Sequence, residues 1–190
     1  MRYLKDIIVA EKVNKIIVHR YESPCGALIL GSCGDRLCLC DWPSGRHHER
    51  VRHRLSRLLD AEFTAGTSAV IETTMIQLDE YFAGERREFD VPLMFAGTEF
   101  QKAVWDVLSR IPYGRTETYS ELARRIGRPA AVRAIANAVG SNALSILVPC
   151  HRVIGADGTL TGYAGYAGGL PAKRHLLALE NALIPALNDI

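Results

Sequence analysis

The sequence predicts two domains: an N-terminal α/β domain over residues 1–96 and a mainly helical domain with a helix-turn-helix over residues 97–190. Two observations support this division. Strand-like segments fill the first third of the chain, whereas helical spacing of apolar residues dominates after residue 98. The Pro-containing stretch 92–97 lies between them and marks the expected boundary. A chain of 190 residues can bury a core without disulfides or a metal.

The N-terminal domain is expected to open with strands. Residues 15–21 form the first strand, and residues 23–26 (Ser-Pro-Cys-Gly) form a turn after it. Residues 27–30 and 36–41 then form a hairpin around the Ser-Cys-Gly-Asp sequence at 32–35.

Two helices follow the hairpin. Residues 47–60 place four apolar side chains on one helical face: Val51, Leu55, Leu58 and Leu59. Residues 71–82 form a second amphipathic helix, which Gly84 ends. Residues 89–93 are extended.

Local capping signals mark the starts of helices in the C-terminal domain. Thr98 with Gln101, and Thr118 with Glu121, are capping boxes that open helices. The second of these helices runs to Ile126, and Gly-Arg-Pro at 127–129 breaks it. Residues 130–139 form the next helix, with four residues facing inward: Val132, Ile135, Ala136 and Val139. Two short helices around a glycine-containing turn predict a helix-turn-helix.

Composition excludes several classes of protein. The chain is 48% hydrophobic and 23% charged, with a net charge of +2, which excludes disorder, collagen and coiled coil. No apolar run approaches the ~18 residues of a membrane span, and the N-terminus lacks the apolar core of a signal peptide. We therefore expect a cytoplasmic protein with no membrane partner. Five cysteines, four of them crowded between residues 25 and 40, make a poor disulfide framework.

Residues 122–156 contain five arginines and no carboxylate. This stretch is a candidate phosphate-facing surface, although a solvated basic face explains the charge equally well. Within it, Arg133 and Asn137 lie four residues apart, on a helix face turned away from the apolar stripe. The small residues around them permit close approach to a DNA groove. The alternative is an alanine-rich helix with one exposed arginine.

The chemical centre of the sequence is Cys150, which follows Pro149 at the end of a predicted strand and precedes His151. An imidazole base or a nearby cation favours the reactive thiolate. The alternative is a buried structural cysteine, because neighbours in a strand point to opposite faces. Glu180 falls on the buried face of a last helix over residues 171–183 and needs a partner there. A histidine would complete a Cys-His-Glu relay, whereas Lys173, Arg174 or another arginine would make a structural ion pair.

The sequence Pro-Cys-His-Arg-Val at 149–153 resembles the active-site signature of the O6-alkylguanine-DNA alkyltransferases, or methylated-DNA–protein-cysteine methyltransferases. Further pieces stand in the family's order over residues 97–181, among them Ile-Pro-Tyr-Gly at 111–114 and Gly-Tyr-Ala-Gly at 162–165. Residues 23–42 resemble the family's N-terminal domain more loosely.

This resemblance implies a ribonuclease H-like N-terminal domain and a winged-helix-like helix-turn-helix in the C-terminal domain. It implies an activity: irreversible, stoichiometric transfer of the alkyl group from O6-alkylguanine, and often O4-alkylthymine, in double-stranded DNA to the protein's own cysteine. No cofactor or metal takes part in the transfer, and we expect a monomer.

The resemblance also assigns roles to residues. Cys150 would be the nucleophile, His151 its base through a water molecule, and Glu180 the group that orients His151. Asn142 would hold the Cys150 region by hydrogen bonds. Tyr119 would press on the phosphate and help protonate the leaving guanine.

The implied DNA contacts centre on Arg133, which would replace the flipped nucleotide in the base stack. Weaker candidates for backbone contacts are Gln101, Ser120 and Arg128. The implied lesion pocket contains Val153, Tyr163, Gly165 and Tyr166. The sequence repeats Tyr-Ala-Gly in this loop, which leaves open whether Tyr163 or Tyr166 takes the family's position. It also has Ala143 where the family typically has proline.

Two other functions fit the sequence less well. Lesion-binding relatives without chemistry lack the cysteine, whereas Cys150 is present here. A cysteine hydrolase would need an oxyanion hole and a histidine distant in sequence, which the adjacent His151 fits poorly. A structural zinc is not expected either. Cys33 and Cys38 stand where some family members place two ligands, but the neighbouring cysteines and histidines lack a regular ligand spacing.

Overall fold

A computed structural model describes residues 14–43, 45–160 and 169–182. The N-terminal half contains four strands and two helices: β1 (Asn14–Ser23), β2 (Gly26–Cys33), β3 (Arg36–Asp41), α1 (Gly45–Leu59), β4 (Ala61–Ala65) and α2 (Ala69–Phe82). The described part of the C-terminal half contains four helices and two short strands: α3 (Glu99–Ser109), β5 (Glu117–Thr118), α4 (Tyr119–Arg125), α5 (Val132–Val139), β6 (Val153–Ile154) and α6 (Gly169–Leu179). Single 3-10 turns cover Pro129–Ala131 and Cys150–Arg152.

The N-terminal sheet has the strand order β3-β2-β1-β4. Strands β2 and β3 pair antiparallel, as the predicted hairpin requires. Strand β1 pairs antiparallel with β2 across the predicted turn, while β4 pairs parallel to β1. Gly26 and Gly34 occupy the two hairpin turns with φ of +98° and +62°, a conformation that favours glycine. Strand β4 was not predicted, and β2 is longer than predicted.

The two predicted helices are confirmed, and each begins two residues earlier than predicted. They cover opposite faces of the sheet. On β2, Leu28 and Leu30 belong to the core cluster that contains α2, whereas Ile29 between them packs in the cluster that contains α1. This alternation follows from the two-residue period of a strand. The N-terminal half is therefore a sheet between two helices.

Both predicted capping boxes are present, at Thr98 with Gln101 and at Thr118 with Glu121. Helix α5 begins at Val132, after the 3-10 turn, and not at residue 130 as predicted. Its buried residues are Ile135, Ala138 and Val139; the predicted inward residues Val132 and Ala136 are only partly buried. Ala138 faces inward because α3 packs there, and Trp105 Nε1 donates a 2.8 Å hydrogen bond to the Ala138 carbonyl.

The two halves share one continuous core, in which Leu30 and Tyr81 belong to the same buried cluster as Trp105. Backbone hydrogen bonds also join them. Cys40 N–H donates to the Ala143 carbonyl, and Ser145 N–H donates to the Cys40 carbonyl, both at 2.8 Å. Strand β3 thereby fixes the backbone of the segment that leads to Cys150. In the described ranges, no helix has the length and apolarity needed to cross a membrane.

Candidate active site

Cys150 is buried, with 1% of its surface exposed, in a 3-10 turn after Pro149. The predicted strand before it is wrong: residues 145–147 form turns, and Leu144 makes a single bridge to Cys40. Ile146 has a φ of +74°, which a β-branched side chain rarely adopts. Backbone strain of this kind costs about 1–3 kcal/mol and persists only where surrounding contacts enforce it.

Asn142 supplies several of those contacts. Its side-chain Nδ2 donates to the Val148 carbonyl at 2.9 Å and lies 3.3 Å from Cys150 Sγ. Its Oδ1 accepts the Leu144 N–H at 2.9 Å. The structure therefore places Asn142 where it organises the turn and touches the sulfur.

His151 and Glu180 are brought together in the buried interior. His151 Nε2 lies 2.8 Å from Glu180 Oε1, and both side chains are fully buried. Within the described residues, His151 Nδ1 has no hydrogen-bond partner. Glu180 follows the end of α6 at Leu179, so the helix is shorter than predicted, but its N–H still bonds to the Leu176 carbonyl.

The alternative of an arginine ion pair also holds, because Glu180 binds Arg152 as well as His151. Arg152 donates through Nε to Oε2 at 2.8 Å and through Nη2 to Oε1 at 2.9 Å. Such two-point pairing fixes the plane of the carboxylate. Arg152 Nη1 donates further to the Ile111 carbonyl at 2.6 Å.

Two further donors to Glu180 were not predicted. The Tyr81 hydroxyl, from α2 in the N-terminal half, donates to Oε1 at 2.7 Å. The Gly114 N–H donates to Oε2 at 3.2 Å. The local sequence indicates neither residue as a donor to Glu180. Tyr81 is 99 residues from Glu180, and its sequence pattern is that of an ordinary core aromatic residue.

The electrostatics of this cluster favour a neutral imidazole beside a charged carboxylate. The pKa of His151 is lowered, chiefly by burial and further by the charges of Arg152 and Lys173, although the hydrogen bond and charge of Glu180 raise it. Burial by itself would raise the pKa of Glu180, but hydrogen bonds from His151 and Arg152, together with the positive charge of Arg152, hold that pKa well below its ordinary value. A neutral His151 that donates Nε2–H to Glu180 leaves the Nδ1 lone pair available as a base.

The charge of Cys150 contributes to the pKa of two other side chains, Lys173 and Tyr119. Lys173 is fully buried, and burial lowers its pKa to about 8, although the Cys150 thiolate opposes the shift. Its Nζ donates to the Val153 carbonyl. Burial, together with the Cys150 charge, raises the pKa of Tyr119 to about 12, so its hydroxyl stays protonated. Lys173 was predicted only as a possible partner for Glu180.

The side chains predicted to contact DNA differ in how exposed they are and in whether they already make hydrogen bonds within the protein. Arg133 and Arg128 are exposed, and the Arg128 guanidinium lies 5.4 Å from the Phe100 ring centroid. Ser120 is half-buried on α4. Gln101 is already engaged, since its Oε1 accepts the Thr98 N–H and its Nε2 donates to Ser141 Oγ, both at 3.0 Å.

Of the predicted lesion pocket, only Val153 is described, and it is fully buried on β6. Tyr163, Gly165 and Tyr166 lie outside the described residues. Within the described ranges, no three His, Cys, Asp or Glu side chains form a group that could hold a metal ion.

Family models match both halves of the chain. Residues 16–95 match the family model for the ribonuclease-like domain of 6-O-methylguanine DNA methyltransferase, and residues 99–182 match the model for its DNA-binding domain. The chain belongs to the 6-O-methylguanine DNA methyltransferase family. The resemblance carried by residues 149–153 is thereby confirmed, as is the combination of an α/β domain with a helical domain.

Relatives in this family are similar over most of the chain. A methylated-DNA–protein-cysteine methyltransferase of Methanosarcina acetivorans is 44% identical over 85% of this chain and 96% of its own length. One from Methanosarcina barkeri is 53% identical over 84% of this chain and 93% of its own length. The crystal structure of Mycobacterium tuberculosis O6-methylguanine methyltransferase is 41% identical, with a TM-score of 0.74 over 91% of this chain and 96% of that one. A further structure shows the Mycobacterium tuberculosis protein in complex with DNA, with a TM-score of 0.72 and 41% identity over 87% of this chain and 92% of that one.

Proposed function

We propose that this protein repairs DNA by direct reversal, moving the alkyl group from O6-alkylguanine to Cys150 Sγ. The observation that carries this proposal is the buried Glu180–His151 pair immediately beside a cysteine whose sulfur Asn142 contacts. The sulfur–carbon bond forms as the carbon–O6 bond breaks, and the thiol proton ends on the guanine. The thioether is stable, so each molecule would act once.

His151 is the proposed base. With Nε2–H donated to Glu180, its Nδ1 can take the thiol proton through a water molecule. The neutral imidazole favoured by burial suits this role, because a protonated ring could not accept the proton. Glu180 then stabilises the imidazolium that forms, as the carboxylate does in other nucleophile–histidine–carboxylate sites.

Tyr119 is proposed to act as the acid that protonates the leaving guanine. Its raised pKa of about 12 keeps the hydroxyl protonated at neutral pH. A protonated phenol near Cys150 can donate its proton to the guanine as the carbon–O6 bond breaks. The proton held by His151 then returns to the phenolate through water, so the net transfer is from the thiol to the guanine. Its position at the start of α4, within the proposed DNA-binding unit, supports this role.

The DNA-binding unit is proposed to be a winged-helix-like helix-turn-helix formed by α4 and α5. Its partner is double-stranded DNA that contains the lesion. Because the target carbon is unreachable in a stacked duplex, the nucleotide must be flipped out, and Arg133 would fill the space it leaves. Arg128 and Ser120 would contact the backbone, while the engaged amide of Gln101 makes it the weakest of these candidates.

We further propose that the protein acts as a monomer in the cytoplasm. Among the described residues, the exposed large apolar side chains are Leu58, Ile76 and Leu170. Leu58 lies on α1, Ile76 on α2 and Leu170 on α6. Single exposed apolar side chains of this kind are normal on monomers.

Intact-protein mass spectrometry after incubation with an O6-methylguanine duplex tests the proposed function. We expect a gain of one methyl group per protein, located by peptide mapping on the peptide that contains Cys150. Folded, reduced protein that binds the duplex but gains no methyl group would instead support a lesion-binding module without chemistry.

Arg133→Ala is expected to slow repair of O6-methylguanine in duplex DNA by about 10- to 100-fold, because flipping costs a few kcal/mol that the arginine would offset. The rate with free O6-benzylguanine should stay within about twofold, since a free base needs no flipping. Arg133→Lys separates charge from the planar guanidinium, and Arg110→Ala, on an exposed residue at the end of α3, controls for lost positive charge. Equal losses on both substrates would contradict the proposed role.

A further inference from the structure

Helix α1 is strongly basic, although it lies in the N-terminal half of the chain. Its 15 residues contain one acidic side chain, Glu49, and five arginines: Arg46, Arg50, Arg52, Arg54 and Arg57. The function proposed above makes no use of them. An arginine-rich helix of this kind suits a polyanionic partner.

Three of these arginines form an exposed row, which we call the α1 arginine row: Arg46, Arg50 and Arg57. At 3.6 residues per turn they lie within about 40° of one another around the helix, along about 16 Å of its length. Among the described residues, no carboxylate lies within 4 Å of any of the three. The row is therefore not balanced by ion pairs.

One member of the row, Arg50, borders the surface of α5. A cleft of about 610 Å³ lies between the two helices, lined on the α1 side by Arg50 and Arg54 and on the α5 side by Asn137 and Gly140. Asn137 is exposed one turn after Arg133, so the cleft adjoins the face proposed to enter the DNA. The arginines of α1 and the proposed reading helix thus border one surface.

Arg54 fixes this arrangement. Its Nη2 donates to the Ser141 carbonyl at 2.8 Å, and its guanidinium lies 5.3 Å from the Trp105 ring centroid. Ser141 follows Gly140, the C-cap of α5, where the negative end of the helix dipole favours a cation. Because Arg54 is anchored in this way, α1 holds a set position beside α5.

Half of the twelve carboxylates in residues 14–96 lie in one segment around α2. Residues 69–90, which include α2, contain six carboxylates and two arginines, and α2 covers the opposite face of the sheet from α1. Half of the negative charge in this half is therefore separated from the arginines of α1, which lie next to α5. A surface that served only solubility would not require this separation.

We propose that the α1 arginine row binds the phosphate backbone of the same duplex that α5 enters, so that the N-terminal half contributes to DNA affinity. This inference rests on the DNA binding of the proposed function but not on the alkyl transfer. Contacts of this kind would position the protein and carry no sequence information, which suits a protein that must act at lesions in any sequence.

The test compares two double variants of the full chain that lose the same charge. Arg46→Ala/Arg50→Ala removes two members of the row, and Arg20→Ala/Arg36→Ala removes two exposed arginines of β1 and β3. The dissociation constant for an unmodified duplex is measured over a range of salt concentrations. Reaction with free O6-benzylguanine and the thermal unfolding midpoint serve as checks on the site and the fold.

We expect the row variant to reduce the slope of log affinity against log salt by about 2, one unit for each phosphate contact. Its affinity in 0.1 M salt should fall by roughly tenfold or more, while the control stays within about twofold of the parent. A row variant with the parental slope, or a control that weakens binding equally, would overturn the proposal. A changed slope in a protein that forms no methyl adduct would uphold this inference and refute the proposed chemistry.

Discussion

Cys150→Ala is expected to abolish alkyl transfer, by several orders of magnitude in rate, while DNA affinity stays within about twofold of the parent. The reason is that the substitution removes the attacking sulfur but no phosphate contact, since Cys150 is 1% exposed. Intact mass after incubation with an O6-methylguanine duplex measures the transfer, and titration of the same duplex measures the affinity.

Three of the other cysteines, Cys25, Cys38 and Cys40, are poor substitutes for Cys150. Burial raises the pKa of Cys25 to about 11 and that of Cys38 to about 12, and it raises the pKa of Cys40 well above its ordinary value. These thiols stay protonated at neutral pH, and the thiolate is the nucleophile. Cys25→Ala is therefore a matched control that should leave the single methyl adduct in place. A full methyl adduct on Cys150→Ala would show that another residue is the acceptor.

Local signals predicted the parts of this fold that depend on neighbours in sequence. The capping boxes at Thr98 and Thr118 fix helix starts through residues three positions away, and both are present. Strand β4 escaped prediction because its partner β1 lies more than 40 residues upstream. The predicted strand at 145–148 failed for a similar reason. Asn142 and the bonds to Cys40 bend an apolar sequence with strand propensity into turns.

In the site too, features that depend on sequence neighbours were predicted, and features that depend on distant contacts were not. Helical spacing placed Glu180 on a buried face, and the need for a partner predicted a histidine or an arginine; the structure provides both. Tyr81 and Gly114 could not be found in this way. Each reaches Glu180 through the packing of distant segments, and nothing in either local sequence marks it as a donor.

Glu180 consequently joins the two halves of the protein as well as serving His151. One carboxylate accepts from α2 through Tyr81, from the turn after α3 through Gly114, and from the Cys150 turn through His151 and Arg152. Hydrogen bonds to a charged group are the stronger class, at about 1.5–3 kcal/mol each. Loss of the charge should therefore affect folding and chemistry together, whereas loss of one donor should affect mainly folding.

Glu180→Gln is expected to lower the free energy of unfolding by about 3–5 kcal/mol, because it leaves the buried Arg152 guanidinium without its counter-charge. Among the described residues, Glu180 is the carboxylate that Arg152 pairs with. The amide also offers donors where Arg152 and Gly114 need acceptors. Transfer should slow strongly as well, since the imidazolium of His151 loses its stabilising charge. Chemical denaturation and the single-turnover rate measure the two effects.

Two variants make this result specific. Tyr81→Phe removes one donor but keeps the carboxylate, so it should cost about 1.5–3 kcal/mol of stability and change the transfer rate far less than Glu180→Gln. Glu99→Gln breaks an exposed pair with Lys102 and should cost less than about 1 kcal/mol. If Glu180→Gln unfolded like the Glu99→Gln control, the carboxylate would not organise the site.

The pH dependence of stability gives an independent test of the Glu180 cluster. The pKa of His151 and that of Glu180 are both lower in the folded protein than their ordinary values. Both groups therefore bind fewer protons when folded, and stability must fall as the pH falls. The loss should begin below about pH 6.5 through His151 and continue below about pH 4.3 through Glu180. Glu180→Gln should approach the parent in stability as acid protonates the parental carboxylate. A stability difference that stayed constant from pH 7 to strong acid would contradict a charged Glu180 at the centre of this network.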